Sequence, residues 1–465
     1  MQNKANIFKT LLLILTFSVS YHLFATENPE PWRLGRALNA PDWLSLGGTF
    51  RARIENLDER FRSGRQGSDQ ALMLRTTFKS EVHVGELSFG GELIDSRALY
   101  NDSGSNVSTG IVNSAELLQG YVRWDANNLI AAESSSSLTA GRMTIDVGSR
   151  RFVARNRFRN TINSFTGVDW QWRHQSGREF RAFYLLPVQR LPRDRASLLD
   201  NDAEFDSESG DVRFWGLYYK LPTWQQNQLE FFVFGLDEND ANDRPTRNRE
   251  LTTAGFRLFR KASGGHVDYD VESAFQFGES RSSTATANVT DLDHLAHFHH
   301  AEIGYSFQAL WRPRAVLQYD YASGDDSPTD RDNDRFDTLF GARRFDFGPT
   351  SIYGPFARSN LSSPSIRVQL KPASSMTGFI AYRAFWLASD SDTWTTSGVR
   401  DASGNAGSFL GQQLEMRVRY HPAPNNVRIE MGVAHLFVGE FIEDAPNANS
   451  ADDVTYLYSQ VVLSF

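Results

Sequence analysis

The stretch Gly141–Trp172, GRMTIDVGSRRFVARNRFRNTINSFTGVDWQW, holds the most chemically pointed residues of the chain. Arg150, Arg151, Arg155, Arg157 and Arg159 come close together with almost no acid between them, in a protein whose formal charge is −8. Guanidiniums crowded in this way repel one another unless something anionic meets them. Arginine also matches a carboxylate with two parallel hydrogen bonds, where lysine offers a point charge. The chemistry suggested is recognition of carboxylate or phosphate. The plainer reading is a solvated basic loop, for example one touching lipopolysaccharide phosphates.

Other chemically capable groups are few. His294, His297, His299 and His300 are the only histidine cluster. A hydrolase would need a nucleophilic Ser with a base in hydrogen-bond reach, and no Ser stands in such a context. His297 and His299 share a strand face with Ile303, Tyr305 and Phe307, which suits a membrane interface better than a metal site. The run Tyr319–Asp326, YDYASGDD, lacks the spacing of a calcium-binding loop and reads as a solvated connection. There is no Cys, so disulfides and thiolate sites are excluded. No cofactor, metal or nucleic-acid partner is implied.

The elements that position these residues are strands. From Trp43 onward apolar and charged residues alternate: Leu44, Leu46, Phe50, Ala52 and Ile54 against Thr49, Arg51, Arg53 and Glu55, and Val427, Ile429, Met431 and Val433 against Arg428 and Glu430. Successive strand side chains point to opposite faces, so each segment has one greasy and one charged side. Aromatics at 13% with a mean hydropathy of −0.44 fit many such strands better than a helical core. Eighteen strands are expected, at 44–57, 71–83, 86–97, 116–126, 137–146, 167–174, 179–187, 211–221, 228–237, 250–261, 266–278, 294–309, 313–322, 365–371, 376–388, 409–420, 427–438 and 454–465.

Connection lengths separate the architectures. Every second one is tight, as at Gly85, Ser176–Gly177, Ala262–Gly265 and Pro422–Asn426. Those between are long and polar: Leu191–Gly210, Leu236–Arg249, Gly278–Asp293, Ser323–Pro364 and Ser389–Ser408. That rhythm predicts an all-β fold, a transmembrane antiparallel up-and-down β-barrel of 18 strands with short periplasmic turns and long extracellular loops. A soluble periplasmic sandwich or solenoid is the competing architecture. Lys4 and Lys9, the apolar Leu11–Val19 and Leu23-Phe24-Ala25 read as a signal peptide over 1–25, leaving 26–465 as one outer-membrane barrel domain.

In such a barrel the polar faces line a lumen wide enough for an aqueous channel. Reading strand parity puts Arg51, Arg53, Arg75, Arg123, Arg173, Arg257, Arg367, Arg383, Arg417 and Arg419 there, with Glu55, Glu81, Glu92, Asp125, Asp169, Asp268, Asp270, Glu272, Asp320 and Glu415. Most of these charges are expected to pair across the wall and stiffen it. A few arginines left over at a constriction would select anions. Arg142 has an ambiguous face, because it shares parity with Leu138 and Ala140 unless Gly141 makes a bulge.

The chain resembles the alginate export family of outer-membrane porins. Gly141-Arg142, Arg151, Phe158-Arg159-Asn160 and Phe165-Thr166-Gly167 are similar to that family's GRQ…R…WRN…FDG pattern. Tyr321–Asp325 with Asp330, Phe336-Asp337 and Leu339-Phe340 are similar to a second conserved region, and Gly432 with Phe437–Phe441 and the closing strand to a third. Met143 stands for the Gln of GRQ and Thr166 for the Asp of FDG, and His421–Asn426 is too short for a periplasmic plug. The resemblance implies a monomeric 18-stranded channel for an anionic polysaccharide or oligosaccharide, alginate-like, with Arg142, Arg151, Arg159 and Asn160 as carried-over positions. Arg53, Arg75, Arg123, Arg155 and Arg417 complete the expected pore set. The final strand, alternating and ending on Phe465, resembles the signal read by the outer-membrane assembly machinery. The alternatives are a general or small organic-anion porin of similar fold, a barrel hydrolase, or a structural barrel with a closed lumen.

Overall fold

The computed structural model describes residues 30–465 except 103, 224–225, 241–243, 328 and 450–451; the expected signal peptide lies outside the described residues. Eighteen strands form one sheet: β1 (Leu44–Asp58), β2 (Asp69–Val84), β3 (Leu87–Leu99), β4 (Asn113–Asn127), β5 (Ser134–Met143), β6 (Phe165–His174), β7 (Glu179–Pro187), β8 (Val212–Pro222), β9 (Asn227–Glu238), β10 (Glu250–Arg260), β11 (Val267–Ser280), β12 (Leu292–Ser306), β13 (Arg314–Ala322), β14 (Leu361–Ala373), β15 (Met376–Trp386), β16 (Phe409–Ala423), β17 (Val427–Val438) and β18 (Val454–Ser464). Each pairs antiparallel with its neighbours in sequence. Pairing of β1 with β18, Thr49 opposite Ser464 and Asp58 opposite Thr455, closes the cylinder.

Parity decides which surface is which. Ile54 is 49% exposed, while Arg53 and Glu55 on either side of it are 0% exposed. The same inversion recurs at Phe78, Phe275, Ile366, Val418 and Leu457, all turned outward. An outer face of Ile, Phe, Leu and Val around an inner face of Arg and Glu is the reverse of a water-soluble protein and is stable only against hydrocarbon. A closed barrel also satisfies every wall backbone group without leaving an edge. Among the described residues no helix is long and apolar enough to cross a membrane.

Two elements depart from expectation. β14 runs Leu361–Ala373 rather than 365–371. Pro364 and Pro372 look like breaks, but Pro364 is exposed with no β15 partner between Ser362 and Ser365, and Pro372 falls in the irregularity between Leu370 and Ala373, so the missing donors are accommodated. β5 begins at Ser134, which shortens the loose connection after β4 to residues 128–133. In the long-loop half of the barrel the inner face is itself apolar over β7–β9, where Phe183, Phe214, Phe232 and Phe234 are buried against Phe152 and Phe165.

At the short-turn end, Phe465 exchanges backbone hydrogen bonds with Gly48 at 2.9 and 3.0 Å, and its ring meets Trp32 edge-on. A Cβ at Gly48 would lie 2.2 Å from the Thr77 carbonyl and 2.7 Å from the Phe465 ring. Gly48→Val is therefore expected to cut the yield of folded, heat-modifiable barrel severalfold, whereas Ser45→Val on the exposed rim leaves it unchanged; refolding followed by gel mobility reads both.

Candidate functional site

The lumen is not an open tube. The connection between β5 and β6, residues 144–164, turns inward, and so does part of the long connection between β13 and β14, which carries the short helix Arg344–Phe347. An irregular backbone at this depth presents carbonyls that no strand partner satisfies, and such groups persist only where side chains or water serve them. Here the wall serves them with guanidiniums. Arg51 donates to the carbonyls of Arg157 (3.2 Å), Phe158 (3.1 Å) and Arg159 (2.9 Å) and to Asn160 Oδ1 (2.9 Å). Arg53 donates to the Phe158 carbonyl at 2.7 Å, and Arg75 to those of Arg157 and Arg159 at 3.3 and 3.0 Å.

Asn160 works in the other direction. Its Nδ2 donates to the carbonyls of Leu74, Arg97 and Ile111 at 3.1, 3.1 and 2.9 Å, tying the segment to three parts of the wall and its loops. The Phe158 ring lies under the guanidiniums of Arg53 (4.4 Å) and Arg344 (5.0 Å). Four of the sequence-expected residues, Arg53, Arg75, Arg159 and Asn160, thus meet in one place, with Arg51 beside them.

Of the other expected residues, Arg123, Arg142, Arg151 and Arg155 stand in separate ion-paired groups. Arg151 is 4% exposed and reaches Glu272 (2.6 Å), Asp346 (3.1 Å) and Asp270 (3.3 Å), with His300 at 2.8 Å. Burial opposes its charge, but Asp346, Asp270 and Glu272 outweigh burial and hold its pKa well above the ordinary guanidinium value. The two inward segments also pair directly, the Phe340 amide donating to the Phe152 carbonyl at 2.9 Å and the Ala154 amide to that of Phe340 at 3.2 Å. Arg155 pairs with Glu92 at 2.7 Å, and Arg123 with Glu81 and Asp125 at 2.9 Å each. Gly141 takes φ +122° where a Cβ would strike the Gly120 carbonyl, and Arg142 beside it bridges Glu116 (2.9 Å) and Glu208 (2.6 Å).

Some cations have no acid. Arg417 makes no ion pair among the described residues and lies over the Phe379 ring at 4.6 Å. It lines a cavity of about 420 Å³ at the short-turn end with Arg312, Arg367 and Lys371. At the long-loop end Arg159 opens on a second cavity of about 490 Å³, together with Arg62, Arg65, Arg190, Arg195 and Arg343. Burial, with Arg343 and Arg190 adding to it, lowers the Arg159 pKa to about 9, and burial beside like charges takes Arg62 and Arg343 to about 10. All three remain cationic at neutral pH. Strand parity could not find the loop arginines; the only trace is the local run Arg60–Arg65. The histidines separate as well. His300 is buried between Arg151 and Asp320, while His297 and His299 bond each other at 3.1 Å and His297 stacks on Tyr321. No cluster of three or more His, Asp or Glu able to hold a metal occurs among the described residues.

A family model described as Alginate export matches residues 42–455. No curated sequence matches at a significant level. Among solved structures the chain is similar to Acinetobacter baumannii OccAB3 (TM-score 0.59, 11% identity, 91% of this chain and 99% of that one), Pseudomonas aeruginosa OpdQ (0.58, 14%, 91% and 98%) and Pseudomonas aeruginosa OpdK with vanillate (0.55, 14%, 90% and 99%). At such identities the likeness carries the fold alone.

Two substitutions test the anchoring. Asn160→Ala removes one hydrogen bond from each of three carbonyls and from Arg51, at ~0.5–1.5 kcal/mol for each bond, and is expected to raise single-channel conductance and noise as the segment loosens. Arg151→Met leaves Glu272 with only the Ser149 hydroxyl. Removing one side of a buried pair costs ~3–5 kcal/mol, so the temperature at which the folded gel band unfolds should drop well below that of the unmodified protein.

Proposed function

The chain belongs to the alginate export family, and from that membership, which makes it an outer-membrane channel rather than an enzyme, we propose that it passes an anionic, alginate-like polysaccharide or oligosaccharide through an arginine-lined lumen. The observation that carries this reading is the distribution of unpaired charge. Wall acids are mostly consumed by neighbours, as Glu81, Glu92, Asp268, Glu272 and Asp320 are. Arg159, Arg367, Arg417 and Arg428 have no carboxylate within ion-pair distance among the described residues. The register sets Arg428, Val462, Arg51 and Arg75 in one row across four adjacent strands, which adds positive charge to the wall behind the inward segment. A carboxylate passing the unpaired arginines exchanges hydration for guanidinium contacts at each stop. The paired acids nearby keep any one stop weak enough to leave. Flux is passive and follows the gradient.

The 1–25 signal peptide, delivery by the assembly machinery through the strand ending at Phe465, and a monomeric state belong to the same proposal. A second reading, a porin for small organic anions, is favoured by the two inward segments, which narrow the lumen; OpdK, a relative in fold, was solved with the carboxylate vanillate.

In planar bilayers the protein should conduct chloride in preference to potassium. Arg417→Glu should reduce that preference by about twofold or more, read from the reversal potential in a salt gradient. Cation selectivity in the unmodified protein would overturn the reading.

A further inference from the structure

The six arginines at the long-loop cavity differ from the ion-paired Arg151, Arg155, Arg123 and Arg142 in what they bind. Arg65 donates to the Gly104 carbonyl (3.1 Å), Arg190 to that of Thr109 (2.6 Å), Arg195 to that of Ser105 (2.9 Å) and Arg343 to that of Phe356 (3.1 Å). Arg62 donates to the carbonyls of Ile352 and Tyr353, and the Arg159 side chain makes no hydrogen bond among the described residues. Main-chain carbonyls orient a guanidinium without neutralising it. No carboxylate lines this space, and none of the six is in an ion pair among the described residues. Connections after β1, β5, β7 and β13 supply the six arginines and the one after β3 lines the space with them, so the concentration of charge comes from the tertiary fold and not from one basic run.

We propose that this cavity is a saturable binding site at the outer mouth for a short acidic oligosaccharide carrying at least two carboxylates, about the size of a uronic-acid disaccharide, so that the channel admits fragments and not a polymer. The proposal rests on the anion-channel reading above and narrows its substrate. One carboxylate cannot offset six converging guanidiniums, whereas two or more spaced along a sugar backbone match several forks at once. The remaining polar lining is Asn106, Ser108, Thr109 and Ser351, donors and acceptors suited to hydroxyl groups. Among the described residues no aromatic ring lines the cavity, so an aromatic acid finds no ring of theirs to stack on. Its volume, about 490 Å³, falls in the small-molecule range of ~300–1,000 Å³. Its floor is the segment that Arg51, Arg75 and Asn160 fasten to the wall, so the floor does not swing aside for a long chain.

The test is single-channel recording with digalacturonate, long-chain polygalacturonate, maltose and benzoate added to the outer side. Digalacturonate is expected to interrupt the current with saturating dependence on concentration, maltose and benzoate to leave it untouched, and the polymer to neither pass nor bind more tightly per chain than the dimer. Arg159→Gln and Arg195→Gln, of which the first breaks no hydrogen bond to a described residue and the second alters an exposed side chain, should each weaken the digalacturonate block by about tenfold, and Arg195→Gln should do so while chloride selectivity persists. Gel mobility confirms that both variants are folded. Block unchanged in both variants, equal block by benzoate, or passage of the polymer would overturn the site while leaving the channel reading intact. Loss of chloride selectivity in the unmodified protein would overturn the channel reading itself.

Discussion

Everything inside this barrel depends on carbonyl oxygens that have no strand to bond to. The segment between β5 and β6 enters the lumen as irregular backbone, and the carbonyls of Arg157, Phe158 and Arg159 accept from Arg51, Arg53 and Arg75. A guanidinium suits this task because its donors fan out in a fixed plane and its charge survives burial. Lysine would offer one mobile point. The arrangement explains why arginine, not lysine, dominates the inner wall: the inward segment needs donors in quantity before any solute arrives.

The same residue type therefore has two occupations, and geometry separates them. Arg151, Arg155, Arg123 and Arg142 are each closed off by carboxylates; the first two act as rivets between wall and interior, Arg123 ties strand to strand, and Arg142 ties β5 to β4 and the β7–β8 connection. Such pairs contribute little to net stability once desolvation is counted, but breaking one leaves a stranded charge, so they fix a single arrangement of the interior. Arg159, Arg417 and the loop arginines are left with charge to spare. In a chain of net charge −8 the surplus inside arises from consumption of the inner acids rather than from composition.

The barrel was legible in the sequence because its physics is periodic. Ile54 between Arg53 and Glu55 states the inside and outside unambiguously, and the alternation of tight and long connections gives the orientation. Legibility failed where periodicity stops. The run Phe231-Phe232-Val233-Phe234 is apolar on both faces, so parity could not reveal that Phe232 and Phe234 build an inner core with Phe152. Arg142 could not be placed until the left-handed backbone of Gly141 was known. The basic stretch around Arg151 announced an anion, yet Arg151 and Arg155 meet acids from β3, β11 and the β13–β14 connection, up to 195 residues distant and invisible to local reading, while Arg157 meets Asp146 of its own segment. Arg62, Arg190 and Arg343 converge only because the connections after β1, β7 and β13 fold together.

The seam between β1 and β18 carries a kinetic consequence. Thr49 meets Ser464 and Phe50 meets Leu463, so the first wall strand cannot find its mate until the last has been synthesised and exported. Until then the growing sheet has two raw margins, each able to zip onto a neighbouring chain. Pairing of such long sequence separation is also slow. The periplasmic lifetime of the unsealed ribbon, more than the strength of any contact in the finished cylinder, thus sets how much holdase protection the cell must supply for each copy that reaches the membrane.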